Sequence, residues 1–235
     1  MKTPTYGLIG RGHLATHLAR YLELEGLRHI PWHRGVDDDP ESALREADVI
    51  LLAISDDAIA GFPSDHPALC NRPIVHFSGS LTIEGVAGLH PLMTFGPETY
   101  DLETYRRIPF ITERGGVGFR ELFPSLGNPS EAIDPELKPL YHALCVLAGN
   151  FTTILWAKTM RDFEDKLGLP RELLSPYLER TTANTLELGS GALTGSLARG
   201  EPDTIERDLE GLAGDPFRGV YLAVAEAMAR QEGRS

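Results

Sequence analysis

The sequence contains only two cysteines, Cys70 and Cys145, among its 235 residues. One pair cannot build a disulfide framework, so we expect a protein of a reducing, cytoplasmic compartment. Basic residues are also few: 22 lysines and arginines stand against 34 aspartates and glutamates, a formal net charge of -12. A surface this acidic repels nucleic acids and anionic lipids, and both are therefore disfavoured as partners.

Long uninterrupted apolar segments are missing as well. No basic segment followed by an apolar segment and a cleavage site opens the chain, so no targeting signal is predicted. The longest apolar stretch, residues 140–157, contains His142, Asn150 and two threonines. These polar residues argue against a membrane span and predict a helix buried in the core of a soluble protein.

The first part of the chain alternates between strand and helix patterns. Apolar runs predict strands over residues 5–9, 27–33, 47–55 and 73–80, with shorter candidates at 86–90 and 108–112. Helical spacing follows the first strand, over residues 14–26, and a shorter helix is predicted over 40–47. Unbroken apolar strands that alternate with helices indicate a mostly parallel sheet covered on both faces.

The pattern changes close to Asn128 and Pro129. From Pro135 onward only helical patterns occur, over residues 135–167, 170–188, 202–213 and 217–231. We therefore predict two domains, an α/β domain over residues 1–133 and an all-helical domain over residues 134–235.

Two glycines, Gly10 and Gly12, stand between the first predicted strand and the first predicted helix. With Ala15 they match the G-x-G-x-x-G/A pattern of dinucleotide-binding folds, and a second strand follows at the expected distance. Gly10 would permit a tight turn, Gly12 would let the backbone approach a pyrophosphate, and the helix N-terminus would donate its N–H groups. We predict cofactor contacts from the whole loop, including Arg11, His13 and Leu14. A tight turn without a ligand is the alternative.

The end of the second predicted strand indicates which dinucleotide binds. NAD sites place an Asp or Glu there to bind the ribose 2′-hydroxyl. This sequence has His33 and Arg34 instead, and a guanidinium can pair with the 2′-phosphate of NADP. We predict NADP as the cofactor, although three aspartates, residues 37–39, follow closely and leave NAD open.

Polar residues also follow the next strands. Ser55 comes after the third strand and Ser78 after the fourth, and ligands of open α/β sheets bind at the carboxyl ends of the strands. Both serines are predicted to face the cofactor, with ordinary capping of the next helix as the alternative. His90 follows another candidate strand and is a candidate substrate contact, or else a turn residue before Pro91.

The apolar helical stretch 140–157 makes its polar residues informative. At about 100° per residue, His142, Gly149 and Thr153 share one stripe, with Asn150 on its flank. Buried polar groups need partners, and a ligand is one possible partner. We predict His142 and Asn150 as catalytic candidates. Because about 12 Å of helix axis separates them, they are not expected to bond each other.

A loop of small residues, residues 189–203, contains the cation Arg199. Small residues let a ligand approach the backbone, and a lone Arg suits a carboxylate or a phosphate. We predict substrate contacts from Thr194 and Arg199, and from Asn184 on the preceding helix. A flexible linker between helices is the alternative.

Six stretches occur in one order: GLIGRGHLATHLARYL, ADVILLAISDDAI, VHFSGS, LHPLMTF, YHALCVLAGNF and ALTGSLARGEPDTIERDL. Together they resemble a family of bacterial Rossmann-like proteins with a C-terminal domain of unknown function. That family is similar in build to 6-phosphogluconate dehydrogenase, pyrroline-carboxylate reductase and ketopantoate reductase. The resemblance implies an NADP-type N-terminal domain and a helical domain that commonly mediates dimerisation.

The sequence departs from better-known relatives at one functional position. Hydroxyacid dehydrogenases of this build carry a catalytic Lys four residues before an Asn, but Val146 and Arg180 stand four before Asn150 and Asn184. The proton would then come from His142 or from a hydroxyl such as that of Ser78.

These observations predict an NADP-dependent oxidoreductase that reduces a small carboxylate-bearing keto or imino compound. Arg199 would hold the carboxylate and His142 would be the acid. A nucleotide-binding sensor without turnover is the alternative, because it needs the same glycine loop.

Overall fold

The computed structural model describes residues 3–36, 39–231 and 233 of the chain. These residues form two compact units, one ending at residue 155 and one beginning at residue 156. The predicted aspartate run falls partly outside the described residues, since only Asp39 of the three is described.

The first unit is built on one sheet with a single antiparallel step. Its described strands are β1 (Tyr6–Ile9), β2 (His29–Trp32), β3 (Val49–Leu52), β4 (Ile74–His76), β5 (Ala87–Pro91), β6 (Phe110–Glu113) and β7 (Ser130–Ile133). Their order is β2-β1-β3-β4-β5-β6-β7. Only β5 and β6 pair antiparallel. This confirms the predicted mostly parallel, Rossmann-type sheet followed by helices.

Helices connect the strands and then continue alone. Those in and around the sheet are α1 (His13–Leu24), α2 (Pro40–Ala43), α3 (Asp56–Ile59), α4 (Phe62–Asp65), α5 (Leu102–Arg107), α6 (Phe119–Leu122) and α7 (Lys138–Cys145). Those that follow are α8 (Thr152–Asp165), α9 (Ser175–Leu188), α10 (Gly195–Arg199), α11 (Pro202–Gly211) and α12 (Arg218–Gln231).

Alternate strand residues divide the core into two layers. Leu8, Leu51 and Val75 point to a layer that also buries the apolar side of α1. Ile50 and Ile74 point to the other layer, which packs under α3 and α4. Because each strand is apolar on both faces, this region shows continuous apolar runs rather than alternation.

The strand β7 was not predicted from the sequence. Its residues, SEAI, include a serine and a glutamate, and the burial of the strand is only partial. A short edge strand of this composition has little periodic signal. The sheet thus extends to Ile133, beyond the change of pattern at residues 128–129, and the first compact unit continues to residue 155. The domain boundary at residues 133 and 134 stays a prediction.

The apolar helical stretch does not behave as expected. The helix Pro135–Asp165 is long and apolar enough to cross a membrane by length and composition alone, yet none of its most apolar window is buried. The expectation of a buried core helix is therefore wrong for the single chain. Several of its large apolar side chains are about half exposed: Leu140, Leu144, Leu147, Phe151 and Ile154.

A network of charges stabilises the second unit. Lys158 and Lys166 both bind the carboxylate of Asp215, at 2.8 and 2.6 Å, and both also bind Asp162. Hydrogen bonds from the two lysines hold the pKa of Asp215 well below its usual range. This network joins α8 to the turn that precedes α12.

Candidate functional site

A cleft of about 920 Å³ opens at the carboxyl ends of β1, β2 and β3. The first turn of α1 and the segment of α3 and α4 complete its lining. Open α/β sheets bind nucleotides at this edge, where the strand order reverses beside the first strand. The predicted loop residues Gly10, Arg11, Gly12, His13 and Leu14 all line the cleft.

Gly10 adopts a backbone conformation that only glycine takes readily. Its φ is +138°, and a Cβ at this position would overlap the carbonyl oxygen of Ala53 on the neighbouring strand. The Gly10 N–H donates to the carbonyl of Trp32 at 2.9 Å, and Ala53 N–H donates to Ile9 at 2.8 Å. The turn is therefore fixed between β2 and β3 on its two sides.

Gly12 leaves open space where a phosphate group would approach. It is the N-cap of α1 in an extended conformation, with no side chain to cap the helix, and a Cβ there would meet no atom within 4 Å. The first N–H groups of a helix have no acceptor within the helix. With the helix dipole, these groups make the start of α1 an anion site.

Arg34 lies at the end of β2 and lines the same cleft. Its side chain is exposed, and its carbonyl oxygen accepts a hydrogen bond from the His33 ring at 2.9 Å. A ring pair, Phe62 and His66, with centroids 4.6 Å apart, contributes to the cleft from α4 and the residue that follows it.

The two predicted serines occupy different surroundings. Ser55 lines the cleft, and its side chain makes no capping bond to α3. Ser78 is buried and donates to Asp56 at 2.7 Å, while its oxygen accepts from the N–H of Leu81 at 3.2 Å. Ser78 thus closes the turn after β4 and does not line this cleft, so its role as a cofactor contact stays a prediction.

Three histidines lie on one face of the sheet and on the helix that covers it. His76 pairs with Gly88 in the β4–β5 register, and His90 is two residues further along β5 on the same face. His142 of α7 lies with its ring centroid 6.5 Å from that of His90. We refer to His76, His90 and His142 as the histidine cluster.

Gly79 provides the space in which two of these rings meet. A Cβ on Gly79 would stand 2.9 Å from Cδ2 of His142 and 3.1 Å from Cδ2 of His90. The Nδ1 atom of His90 is hydrogen-bonded to the Tyr141 hydroxyl at 2.6 Å. Among the described residues, the ring of His142 has no hydrogen-bond partner, while its carbonyl accepts from the N–H of Val146.

His76 is completely buried and stays uncharged near neutral pH. Its Nδ1 accepts from the Ser78 N–H at 3.2 Å, so its proton lies on Nε2, which has no partner among the described residues. Burial above all, together with the positive charge of Lys138, lowers the pKa of His76 to about 4. Glu113 and Asp56 act in the opposite direction.

A buried ion pair lies beside the histidine cluster. Lys138 binds Glu113 at 2.5 Å, and both side chains are almost inaccessible. The pair fills the space that a side chain at residue 88 would need, because a Cβ on Gly88 would overlap the Glu113 carboxylate. The pair therefore holds the start of α7 against β5 and β6.

The helix of His142 is not a regular α-helix. Residues Val146–Phe151 form a π-helical turn between α7 and α8. A π turn contains one residue more than an α turn, so it rotates the following residues by about 100°. The predicted stripe of His142, Gly149 and Thr153 is therefore wrong. Asn150 is exposed on this turn.

The remaining predicted substrate contacts belong to the second unit. Asn184 is half-buried on α9, Thr194 precedes α10, and Arg199 ends it. Arg199 pairs with Glu201 at 2.5 Å, and both side chains are exposed to solvent. The assignment of these three residues to substrate stays a prediction.

Sequence reasoning missed His76, Tyr141, Lys138 and Glu113. Lys138 stands four residues before His142, a spacing that places both on one helix face, so this signal was present. No local sequence signal indicated Glu113, because its partner Lys138 is 25 residues away in the sequence.

Solved structures with the same fold include several nicotinamide-dependent reductases. A Bacteroides fragilis protein, described as a candidate NADP oxidoreductase, is 22% identical with a TM-score of 0.77, covering 97% of this chain and 98% of its own. The pyrroline carboxylate reductase of Plasmodium falciparum, solved with NADP bound, is 15% identical with a TM-score of 0.59, covering 97% of each chain. An imine reductase variant from Myxococcus stipitatus, in complex with NAD+, is 15% identical with a TM-score of 0.61. The match covers 99% of this chain and 96% of the imine reductase.

The chain thus has the fold of the Rossmann-type reductases. Its residues 115–228 match the family model of a domain of unknown function, DUF2520. The resemblance to Rossmann-like proteins with a C-terminal domain of unknown function is confirmed. No curated protein matches the sequence.

The two glycines of the loop should respond differently to substitution. We expect Gly12→Val to fold normally, because its backbone is extended and its Cβ position is open, but to lose dinucleotide binding. Gly10→Ala should instead lower the thermal unfolding temperature, because of its positive φ and the overlap with Ala53. Calorimetry with and without NADPH measures both effects. Retained binding by Gly12→Val would contradict the anion site.

Proposed function

We propose that the chain is an NADP-dependent oxidoreductase that reduces a keto or imino group in a small carboxylate-bearing compound. The observation that carries the proposal is the cleft at the ends of β1, β2 and β3, with the exposed first turn of α1 at one side and Arg34 at the other. An acidic protein of this fold is expected to be soluble and cytoplasmic.

The residues present fit a dinucleotide. Gly12 has no side chain, so the start of α1 stays open to a pyrophosphate. The turn at Gly10, which is fixed by the neighbouring strands, places the start of α1 at the cleft. A bound NADPH supplies the hydride that reduces the substrate carbon. The protein's own task is to bind, to orient and to provide the proton.

Arg34 supports NADP over NAD. Its side chain is exposed at the end of β2, where the ribose of a dinucleotide lies in this fold. A guanidinium there can bind a 2′-phosphate through two parallel hydrogen bonds. Arg11 lines the same cleft and adds a second positive charge.

His142 is the residue we assign as proton donor. It is half-buried, its ring has no hydrogen-bond partner among the described residues, and it meets His90 over Gly79. Protonated imidazole can deliver a proton to the oxygen or nitrogen of the reduced group. Asn150 is assigned a supporting role on the π-helical turn, a type of turn that is frequent at functional sites.

Arg199 is the proposed anchor for the substrate carboxylate, with Asn184 and Thr194 as further contacts. Its present partner, Glu201, is exposed, and exposed ion pairs are worth only about 0–1 kcal/mol. A substrate carboxylate can therefore replace Glu201 as the partner of Arg199 at a small cost in free energy.

We also propose a homodimer through the helical part of the chain. The apolar side chains of the helix Pro135–Asp165 are exposed in the single chain, and patches of this kind mark interaction sites. A second copy would present the same apolar face and cover them.

Cofactor preference tests the role of Arg34. A charge-assisted hydrogen bond is worth roughly 1.5–3 kcal/mol, or about 10- to 100-fold in affinity. Arg34→Asp should weaken NADPH binding by at least this factor, since it adds repulsion, and should leave NADH binding level or improved. Arg28→Asp is the control, because Arg28 precedes the same strand and pairs with Glu46 outside the cleft. Equal weakening of both cofactors, measured by titration, would contradict the assignment.

Turnover distinguishes an enzyme from a sensor. We expect oxidation of NADPH with at least one member of a panel of 2-keto acids and cyclic imines, including pyruvate and pyrroline-2-carboxylate. His142→Ala should lower kcat by about 100-fold or more without changing NADPH affinity. A wild-type protein that binds NADPH but consumes it with no panel member would favour the sensor.

Sedimentation velocity tests the dimer. The wild type should sediment as a dimer, and Leu147→Lys combined with Phe151→Lys should sediment as a monomer, because both charges would be buried in the interface. Met93→Lys, at an exposed apolar residue that follows β5 and lies outside this helix, should remain dimeric. A monomeric wild type would refute the proposal.

A further inference from the structure

We propose that Tyr141 fixes His90 in the neutral tautomer that carries its proton on Nε2, and that this N–H group polarises the keto or imino group of the substrate. The second half rests on the proposed reductase function. The first half concerns the free protein alone. His90 then binds the reacting group directly, and Tyr141 is a positioning residue.

A short hydrogen bond joins Tyr141 to His90. The hydroxyl oxygen lies 2.6 Å from Nδ1 of His90, and the two rings meet edge to face with centroids 5.5 Å apart. Burial, with the neighbouring Cys145 thiol, raises the pKa of Tyr141 above its ordinary value, so the phenol keeps its proton. A phenolic O–H is a good donor and an imidazole nitrogen a good acceptor. We therefore assign the phenol as the donor and Nδ1 as the acceptor, which places the proton of His90 on Nε2.

The surroundings keep the ring of His90 uncharged. Burial is the largest cause that lowers its pKa, to about 4, and the charges of His142 and Lys138 act in the same direction. Asp56, at the start of α3, is the group that acts to raise this pKa.

The Nε2 atom of His90 lies where a ligand can meet it. It stands 3.2 Å from the position of a Cβ on Gly79, so the absence of a side chain there leaves room beside it. Among the described residues this nitrogen has no hydrogen-bond partner, and unlike Nε2 of His76 it is not sealed from solvent. The ring of His142 borders the same space.

The two histidines thus have separate tasks. The reduction adds a hydride, supplied by NADPH as it is oxidised to NADP+, to the carbon of a C=O or C=N bond, and a proton to its oxygen or nitrogen. The proton comes from the His142 imidazolium. His90 keeps its own proton and stabilises the negative charge that develops on the same atom, as donors of an oxyanion hole do.

Nitrogen NMR of the histidine rings tests the first half without any substrate. In the 15N-labelled protein, with signals assigned through His90→Gln, we expect His90 to show a protonated Nε2 and an unprotonated Nδ1 from about pH 5.5 to 8. In Tyr141→Phe both tautomers should be populated. Tyr177→Phe, at an exposed tyrosine of α9, is the matched control and should leave the signals unchanged. A wild-type ring protonated on Nδ1, or doubly protonated at pH 7, overturns the proposal.

Kinetics test the second half, with pyruvate or pyrroline-2-carboxylate as substrate. His90→Ala should lower kcat by about 100-fold, and His90→Gln, which retains an N–H donor, should recover part of the loss. Tyr141→Phe should lower kcat by about 10-fold with NADPH affinity unchanged, because only part of the His90 population then carries its proton on Nε2. Unchanged kcat in His90→Ala overturns the polarising role. Absence of turnover in the wild type overturns the proposed function instead, while the NMR result still decides the tautomer.

Discussion

The passage of the chain from β1 into α1 depends on the absence of a side chain at Gly10. The two flanking strands hold this residue from both sides, through Trp32 and Ala53, and leave no volume for a Cβ. The chain must therefore turn immediately, and α1 begins with its first N–H groups at the edge of the sheet. The open position at Gly12 follows from this turn, and the cleft beside it has the geometry of an anion site.

A second constraint lies on the other part of the sheet. A buried ion pair such as Lys138 with Glu113 is costly to desolvate and is favourable only in good geometry. Gly88 supplies that geometry, because its missing side chain makes room for both charged groups. Once Lys138 is fixed there, the next turn of α7 must place Tyr141 and His142 over His90 and Gly79. A charge pair that does not line the cofactor cleft thus helps to place Tyr141 and His142 over His90.

The fold and the cofactor cleft were largely predictable from the sequence, and the reason is physical. Three features of the cleft are local: the turn at Gly10, the start of α1 and the end of β2. A few neighbouring residues in the sequence are enough to predict each of them. The histidine cluster is different, since His76, His90 and His142 come together only through strand register and the placement of α7. The sequence pattern indicated His90 and His142 as separate candidates, but it did not predict that their side chains lie together.

The departures from prediction in the helical stretch share one cause, which is that helical periodicity assumes a regular helix in a closed core. The π-helical turn at residues 146–151 adds a residue to one turn, so a stripe drawn at constant spacing moves Asn150 and its neighbours to the wrong face. The apolar composition of the same helix predicts burial but does not specify which surface provides it. Tyr141 was not predicted for a related reason, since a tyrosine on an apolar helix resembles a core residue. Its 2.6 Å hydrogen bond to His90 shows that its hydroxyl group has a polar partner. Composition therefore indicates that such a helix favours burial, while individual hydrogen bonds indicate the roles of its polar side chains.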